Sequence, residues 1–113
     1  MWWSRNRSNG ARNVLFDAAL EFGKNWRRDV SSVAAERLPE LDDGERAALV
    51  REIEATRAAI EQWIWDRWRT VGDRWSKSDT EAARGFVRAT YPWMDDRNIS
   101  HAVNQGTYYA WHG

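Results

Sequence analysis

The stretch that decides the fold of this chain is residues 42–75, DDGERAALVREIEATRAAIEQWIWDRWRTVGDRW. It opens with a predicted capping box, in which the Asp42 side chain accepts a backbone N–H and Glu45 reaches back. Its apolar residues then recur at helical spacing and fall on one arc of a helix with 3.6 residues per turn. The arc comprises Leu49, Ile53, Ile60, Ile64 and Val71, with Trp68 and Trp75 at its edge. This pattern predicts one long amphipathic helix.

The predicted length of this helix bears on the shape of the protein. Unbroken to Trp75, it would be about 50 Å long at about 1.5 Å per residue. That length exceeds the diameter of a compact domain of 113 residues. Either Gly72 ends the helix early or the protein is elongated.

The N-terminal third is predicted to supply an arm and a second long helix. Residues 1–10 are rich in Ser, Asn, Arg and Gly and are predicted to form a flexible arm carrying Trp2 and Trp3. From Ala11 the pattern becomes helical, and Leu38-Pro39 ends it because proline disfavours helical geometry in the preceding residue. The predicted stripe consists of Leu15, Ala19, Phe22, Trp26, Val30 and Val33.

Two shorter helices are predicted after residue 75. Ser78 and Glu81 form a second predicted capping box, and the helix that follows ends before Pro92. Asp95 or Asp96 then starts the last helix. The first of these helices is expected to bury Ala82, Ala83, Phe86 and Val87, and the second Ile99, Ala102, Val103, Gly106 and Ala110.

The elements together predict an all-α fold. Val, Ile and Thr are sparse and never alternate with polar residues over a strand's length. We expect residues 11–113 to form a single helical domain, in which a long antiparallel helical hairpin carries two shorter C-terminal helices in a four-helix, bundle-like arrangement.

Composition narrows the classes of function. The charges of the 17 basic and 17 acidic residues cancel. A nucleic-acid-binding domain is usually basic, so no nucleic-acid partner is expected. The absence of cysteine excludes disulfides and Cys-ligated metals. No apolar run approaches the roughly 20 residues that cross a bilayer, and the N-terminus lacks the apolar stretch of a signal peptide. We therefore expect a cytoplasmic protein, with membrane contact through Trp2 and Trp3 as the weakest alternative.

No catalytic or metal-binding motif is recognised. His101 and His112 are the obvious candidates for proton transfer near neutral pH. The spacing of Asp95, Asp96 and His101 matches no metal signature. The chain has no nucleophile elbow, no plausible Ser-His-Asp set and no glycine-rich phosphate loop. The sequence therefore predicts no catalytic residue, metal or cofactor.

The nine tryptophans are the unusual feature. With Ile64 facing inward, Trp63 and Trp65 lie about 100° to either side of it around the helix. Either the last two helices cover these rings or a partner does, because aromatic residues commonly anchor interfaces. Arg67, inside the apolar arc, either keeps its head in water, stacks on tryptophan or pairs with a carboxylate of the last helix.

The leading functional hypothesis is a small non-enzymatic interaction or accessory protein that binds a second copy of itself or another protein through an aromatic surface. Self-association is expected on the side of the second helix that carries Trp65, because zero net charge offers little repulsion between copies. The alternative is a small-ligand binder or enzyme with an aromatic pocket. Its candidate residues are Trp63, Trp65, Tyr108, Tyr109 and Trp111.

Overall fold

The computed structural model describes the backbone of residues 5–20 and 29–112, and the side chains of residues 9–20 and 29–112. Within these residues the chain forms five α-helices and no strand, so the predicted all-α, bundle-like fold is confirmed. None of the helices described is both long and apolar enough to cross a membrane. The helices are α1 (Arg5–Leu20), α2 (Val30–Arg37), α3 (Asp43–Val71), α4 (Lys77–Thr90) and α5 (Asp96–His112).

The prediction of one continuous helix over residues 11–38 is wrong. Asp29 is extended, with φ −73° and ψ 151°, and its side chain accepts the Ser32 backbone N–H at 2.8 Å. This N-cap starts a new helix, so the predicted element is at least two helices. The start at Ala11 is also too late, because α1 begins at Arg5. The predicted positions of Trp2, Trp3, Phe22 and Trp26 lie outside the described residues.

Contacts group the chain into two compact units, Met1–Ala55 and Thr56–Gly113. In the first unit, α1 packs against α2, and the Arg12 side chain pairs with Glu52 of α3. Leu15 and Phe16 are fully buried, so an aliphatic and an aromatic side chain form the centre of this core. Its other buried apolar residues include Val33, Ala34, Leu38, Leu41, Leu49, Val50 and Ile53.

In the second unit, α4 packs against α5. The whole predicted inner face of the last helix is buried, which confirms the helical period assigned to it. Of the four residues predicted as buried in α4, Ala83 and Val87 are buried, whereas Ala82 and Phe86 are half-buried. The core of this unit includes Ile60, Ile64, Ala83, Val87, Met94, Ile99, Ala102, Val103 and Ala110.

Local signals fix the ends of α3. The Glu45 backbone N–H donates to Asp42 Oδ1 at 2.7 Å and the Asp42 N–H donates to Glu45 Oε1 at 2.8 Å, as predicted. At the other end the helix stops at Val71, because Gly72 has φ +59°, a left-handed conformation suited to glycine. A 3₁₀ turn, Gly72–Arg74, follows. The first of the two alternatives therefore holds, and Gly72 ends the helix.

The cap of α4 differs from the prediction. The box is formed by Ser76 and Asp79, not by Ser78 and Glu81: the Ser76 N–H and hydroxyl donate to Asp79 Oδ2 at 2.8 and 2.9 Å. Asp79 also accepts a hydrogen bond from Arg67 of α3. The alternative cap, with Glu81 in place of Asp79, would not include this bond. This tertiary contact favours the earlier start.

Candidate functional site

An open groove runs between α3 and α5 in the second unit. Its volume is about 330 Å³. The wall consists of Trp65 from α3 and Tyr109 from α5, both half-buried. Small residues line much of the remainder, and Glu61 and Gln62 add polar atoms. We call this feature the α3–α5 groove; its lining is Ala58, Glu61, Gln62, Trp65, Gly106, Tyr109 and Ala110.

Helical spacing produces this lining. On α3, residues 61 and 62 lie three and four positions after residue 58, and residue 65 lies three positions after 62. On α5, residues 109 and 110 lie three and four positions after 106. Gly106 lets α5 approach α3 closely, since a Cβ atom there would lie 2.5 Å from the Ile64 Cδ1 atom. The groove thus forms because small residues (Gly106, Ala58 and Ala110) lie beside two large rings (Trp65 and Tyr109) where α3 and α5 pack together.

A polar cluster borders the groove beside Tyr109. Arg57 Nε donates to Glu61 Oε2 at 3.3 Å, and the Arg57 side chain also hydrogen-bonds to Tyr109. Burial raises the pKa of the Tyr109 phenol above its ordinary value, and the neighbouring Arg57 offsets part of that rise. The phenol therefore stays protonated at neutral pH, where it serves as a hydrogen-bonding group and not as a base.

Trp63 lies on the opposite flank of α3 and is covered by α4. Its ring stacks on Phe86, with centroids 5.1 Å apart and planes 12° apart. The Arg67 guanidinium lies 5.5 Å from the Trp63 ring centroid, and its Nε donates to Asp79 Oδ1 at 2.7 Å. Arg67 thus combines tryptophan stacking with carboxylate pairing, but the carboxylate belongs to α4 and not to the last helix.

Asp79 is held in its charged form by this arrangement. The Ser76 backbone N–H is the first cause of its lowered pKa, and the hydrogen bond from Arg67 is the second. Because the Asp79 side chain is only 9% exposed, water contributes little to holding the charge. The contact is a structural link between α3 and α4.

A second aromatic cluster joins Trp68 to Trp75 and Trp111. The Trp68 and Trp75 rings stack with centroids 5.4 Å apart, and Trp111 meets Trp68 edge-on at 5.5 Å. The Trp75 indole N–H donates to the Thr80 hydroxyl at 3.0 Å. Although it joins this cluster, Trp111 remains 63% exposed.

The five residues predicted to form an aromatic surface or pocket are therefore distributed over four places. Trp65 and Tyr109 both line the groove, Trp63 stacks on Phe86 of α4, and Trp111 contacts Trp68. Tyr108 is 55% exposed on α5, and its ring lies tilted against that of His112, with centroids 4.3 Å apart. Sequence reasoning missed Ala58 and Glu61, although their spacing from Trp65 placed them on its flank.

The two histidines lie on α5. His101 Nε2 is 3.5 Å from the Gln105 side-chain nitrogen, while His112 is exposed beside Tyr108. In the part of the chain that the structure describes, no three His, Cys, Asp or Glu side chains are grouped so that they could hold a metal ion.

Comparison with protein-family models, curated proteins and solved structures finds no match for this chain.

Proposed function

We propose that this chain is a non-enzymatic, cytoplasmic interaction protein that binds an apolar side chain of a partner polypeptide in the α3–α5 groove. One observation carries the proposal: a half-buried indole, Trp65, stands beside small residues in a groove open to solvent. A side chain placed between Trp65 and Tyr109 would desolvate both rings. Aromatic rings desolvated in this way are common centres of binding energy.

The shape of the groove favours a polypeptide over an enclosed small molecule. Small-molecule sites usually measure about 300–1,000 Å³ and bury most of the ligand. The α3–α5 groove lies at the lower end of that range and is open, so a bound group would keep one side in water. A side chain attached to a partner's backbone fits this shape, because its backbone remains at the rim near Glu61 and Gln62.

The groove's titratable groups support a binding role. Glu61 is paired with Arg57, and burial raises the pKa of the Tyr109 phenol further above neutral pH. A general base needs a proton affinity near the working pH and an approach to its substrate. The Tyr109 phenol, whose pKa is raised, lacks the first of these properties.

A small aromatic ligand is the second candidate. It is favoured by the same pairing of Trp65 with a polar cluster, since Glu61 and Tyr109 could orient a ring that carries a hydrogen-bond donor. This candidate and the polypeptide share the groove, so one obstructing variant tests both.

The obstructing variant is Ala58→Trp, because Ala58 is exposed and lines the groove. Ala89→Trp, at an exposed alanine of α4 outside the groove lining, is the matched control. Peptides from a random displayed library are selected on the full chain and their affinities measured by calorimetry. We expect selected peptides to share an apolar residue and to lose at least about tenfold in affinity, about 1.4 kcal/mol, for Ala58→Trp alone.

Peptides that bind both variants equally, or a library that yields no binder, would contradict the polypeptide proposal. In the parallel arm, aromatic fragments are screened by ligand-observed NMR. Fragment binding that Ala58→Trp abolishes, together with a failed peptide selection, would establish the second candidate instead.

A further inference from the structure

Helix α5 is almost free of charge along its length. Residues 98–112 contain no Asp, Glu, Lys or Arg, although 30% of the chain is charged. At that average, 15 residues would carry about four charges. The outward face of a surface helix is normally its charged face. An outward face that carries no charge over residues 98–112 is therefore a candidate for contact with another surface.

The outward residues of α5 form a stripe with heptad spacing. Positions 97, 101, 104, 108 and 111 are separated by four, three, four and three residues, which is the spacing of a coiled-coil seam. Arg97, Asn104, Tyr108 and Trp111 are exposed and His101 is half-buried. The buried inner face lies on the other side of the helix. We call these five positions the outer stripe: Arg97, His101, Asn104, Tyr108 and Trp111.

We propose that the outer stripe binds the outer stripe of a second copy of this chain, with the two α5 helices antiparallel. A two-fold axis at Asn104 pairs position 97 with 111 and places position 101 within one residue of the level of 108. Asn104 then faces Asn104 of the second copy. The surface is self-complementary, as an interface between identical chains must be.

The chemistry of each layer suits this pairing. Arg97 meets Trp111 of the second copy, and a guanidinium over an indole is a favourable cation–π contact. His101 meets Tyr108 as an aromatic pair. The two Asn104 amides can each donate and accept a hydrogen bond. An asparagine in such a seam also fixes the register of the helices.

The antiparallel orientation follows from charge. In a parallel pair, Arg97 would face Arg97 of the second copy, so like charges would meet across the seam. Parallel helix dipoles would also lie side by side. The antiparallel pair instead brings the charged first turn of each α5 to the aromatic last turn of the other, beside His112.

The size of the interface predicts its strength. Helix α5 has 17 residues, or about 25 Å at about 1.5 Å per residue. One helix pair of that length lies at or below the roughly 1,200 Å² lower limit of standard interfaces. The dimer is therefore weak and depends on concentration. It is separate from the groove, because neither Trp65 nor Tyr109 belongs to the outer stripe.

Sedimentation velocity over a dilution series of the full chain tests the proposal. We expect the wild-type mass to rise from one chain toward two with concentration. Asn104→Glu and Asn104→Lys should each raise the dissociation constant at least tenfold, because like charges meet at the axis, whereas mixing the two variants should restore the dimer. Ala89→Glu, also at an exposed position of a helix, is the control and should match the wild type.

A wild type that stays monomeric throughout, or an Asn104→Glu variant that dimerises like the wild type, would overturn the proposal. Trp65→Glu should leave the dimer intact. If Trp65→Glu alone dissociated it, the contact would lie on the groove side and the outer stripe would be excluded. Loss of peptide binding in Ala58→Trp with an unchanged dimer would separate the two proposals.

The absence of native cysteine allows orientation to be tested by cross-linking. Under mild oxidation we expect Asn104→Cys to cross-link with itself, and Arg97→Cys to cross-link with Trp111→Cys but not with itself. Ala89→Cys should remain uncross-linked. Self-cross-linking of Arg97→Cys as readily as Asn104→Cys would establish a parallel pair and contradict the antiparallel arrangement.

Discussion

Gly106 of α5 lies directly against Ile64 of α3. A Cβ atom at position 106 would come within 2.5 Å of the Ile64 Cδ1 atom, and Ile64 is fully buried. Real Cβ atoms do not approach other atoms this closely, so any larger residue must move the Ile64 Cδ1 atom. Because the α3–α5 groove is lined by Gly106 and its neighbours, this one contact sets both the spacing of the helices and the depth of the groove.

A double-mutant cycle should reveal this contact. Gly106→Ala places a methyl group against Ile64 and forces a packing change that usually costs about 1–3 kcal/mol, offset by up to about 1 kcal/mol of helix propensity. Ile64→Val removes Cδ1 and alone costs about 0.5–1.5 kcal/mol. We expect the double variant to be more stable than the sum by at least about 0.5 kcal/mol in urea unfolding. Strict additivity would mean that the helices are further apart.

The link between Arg67 and Asp79 predicts a pH dependence. Asp79 has a lowered pKa in the folded chain, so its contribution to stability is present above the unfolded value of about 3.9 and is lost as the pH falls through the folded value. Asp79→Asn should therefore lower the urea midpoint at pH 7, and its difference from wild type should shrink as the pH falls below the unfolded value. Asp73→Asn, at an exposed position, is the control. A difference independent of pH would refute the role of the Asp79 charge.

The stacked pair Trp63 and Phe86 should be coupled energetically. Offset-stacked rings contribute about 0.5–1.5 kcal/mol beyond their buried area. The cycle built from Trp63→Leu and Phe86→Leu should show coupling of that size in chemical unfolding. Trp65→Leu combined with Phe86→Leu provides the control, because Trp65 lies on the other flank of α3, and these effects should add within about 0.5 kcal/mol. Equal coupling in both cycles would contradict the placement of the two indoles.

Truncation of the α3 core should be costly at Ile60. This side chain is 1% exposed, and burial of that degree makes Ile→Ala cost about 2–5 kcal/mol. Val14→Ala on α1 removes two methyl groups from a side chain that is 43% exposed, and we expect a change within about 0.5 kcal/mol. The measurement is urea unfolding followed by circular dichroism. A loss below about 1 kcal/mol for Ile60→Ala would mean that the apolar arc faces elsewhere.

Features set by neighbouring residues could be predicted from the sequence. The inner face of α5 and the Asp42–Glu45 box depend on helical period and on hydrogen bonds three residues apart, which the sequence displays directly. The break at Asp29 was missed because Trp26, Val30 and Val33 continue the apolar stripe across it. The Asp29 and Ser32 spacing, a cap signal, was outweighed by that periodicity.

Features set by tertiary contacts could not be predicted. The segment SKSDTE at residues 76–81 offers two capping boxes of the same spacing, and the contact from Arg67 to Asp79 distinguishes them. Helical spacing predicts on which side of α3 Trp65 lies. Whether Trp65 shares a groove with Tyr109 depends on how α5 is aligned along α3. That alignment is set by the close approach of Gly106 to Ile64, which no local pattern encodes.

The same substitution should have opposite effects at two glycines. Gly72 has φ +59° and open space around its Cβ position, so Gly72→Ala should cost about 1–2 kcal/mol through backbone strain alone. Gly85, exposed within α4, also has open space but lies in a helix. Gly85→Ala should therefore stabilise the chain by up to about 1 kcal/mol. Both are measured by urea unfolding.

The variant Gly72→Asn separates backbone strain from other causes of the stability loss in Gly72→Ala, because asparagine tolerates the left-handed conformation better than alanine does. We expect it to recover part of the stability that Gly72→Ala loses. If Gly72→Ala were neutral, α3 would continue past Val71 without cost. The left-handed turn would then not be what ends the helix.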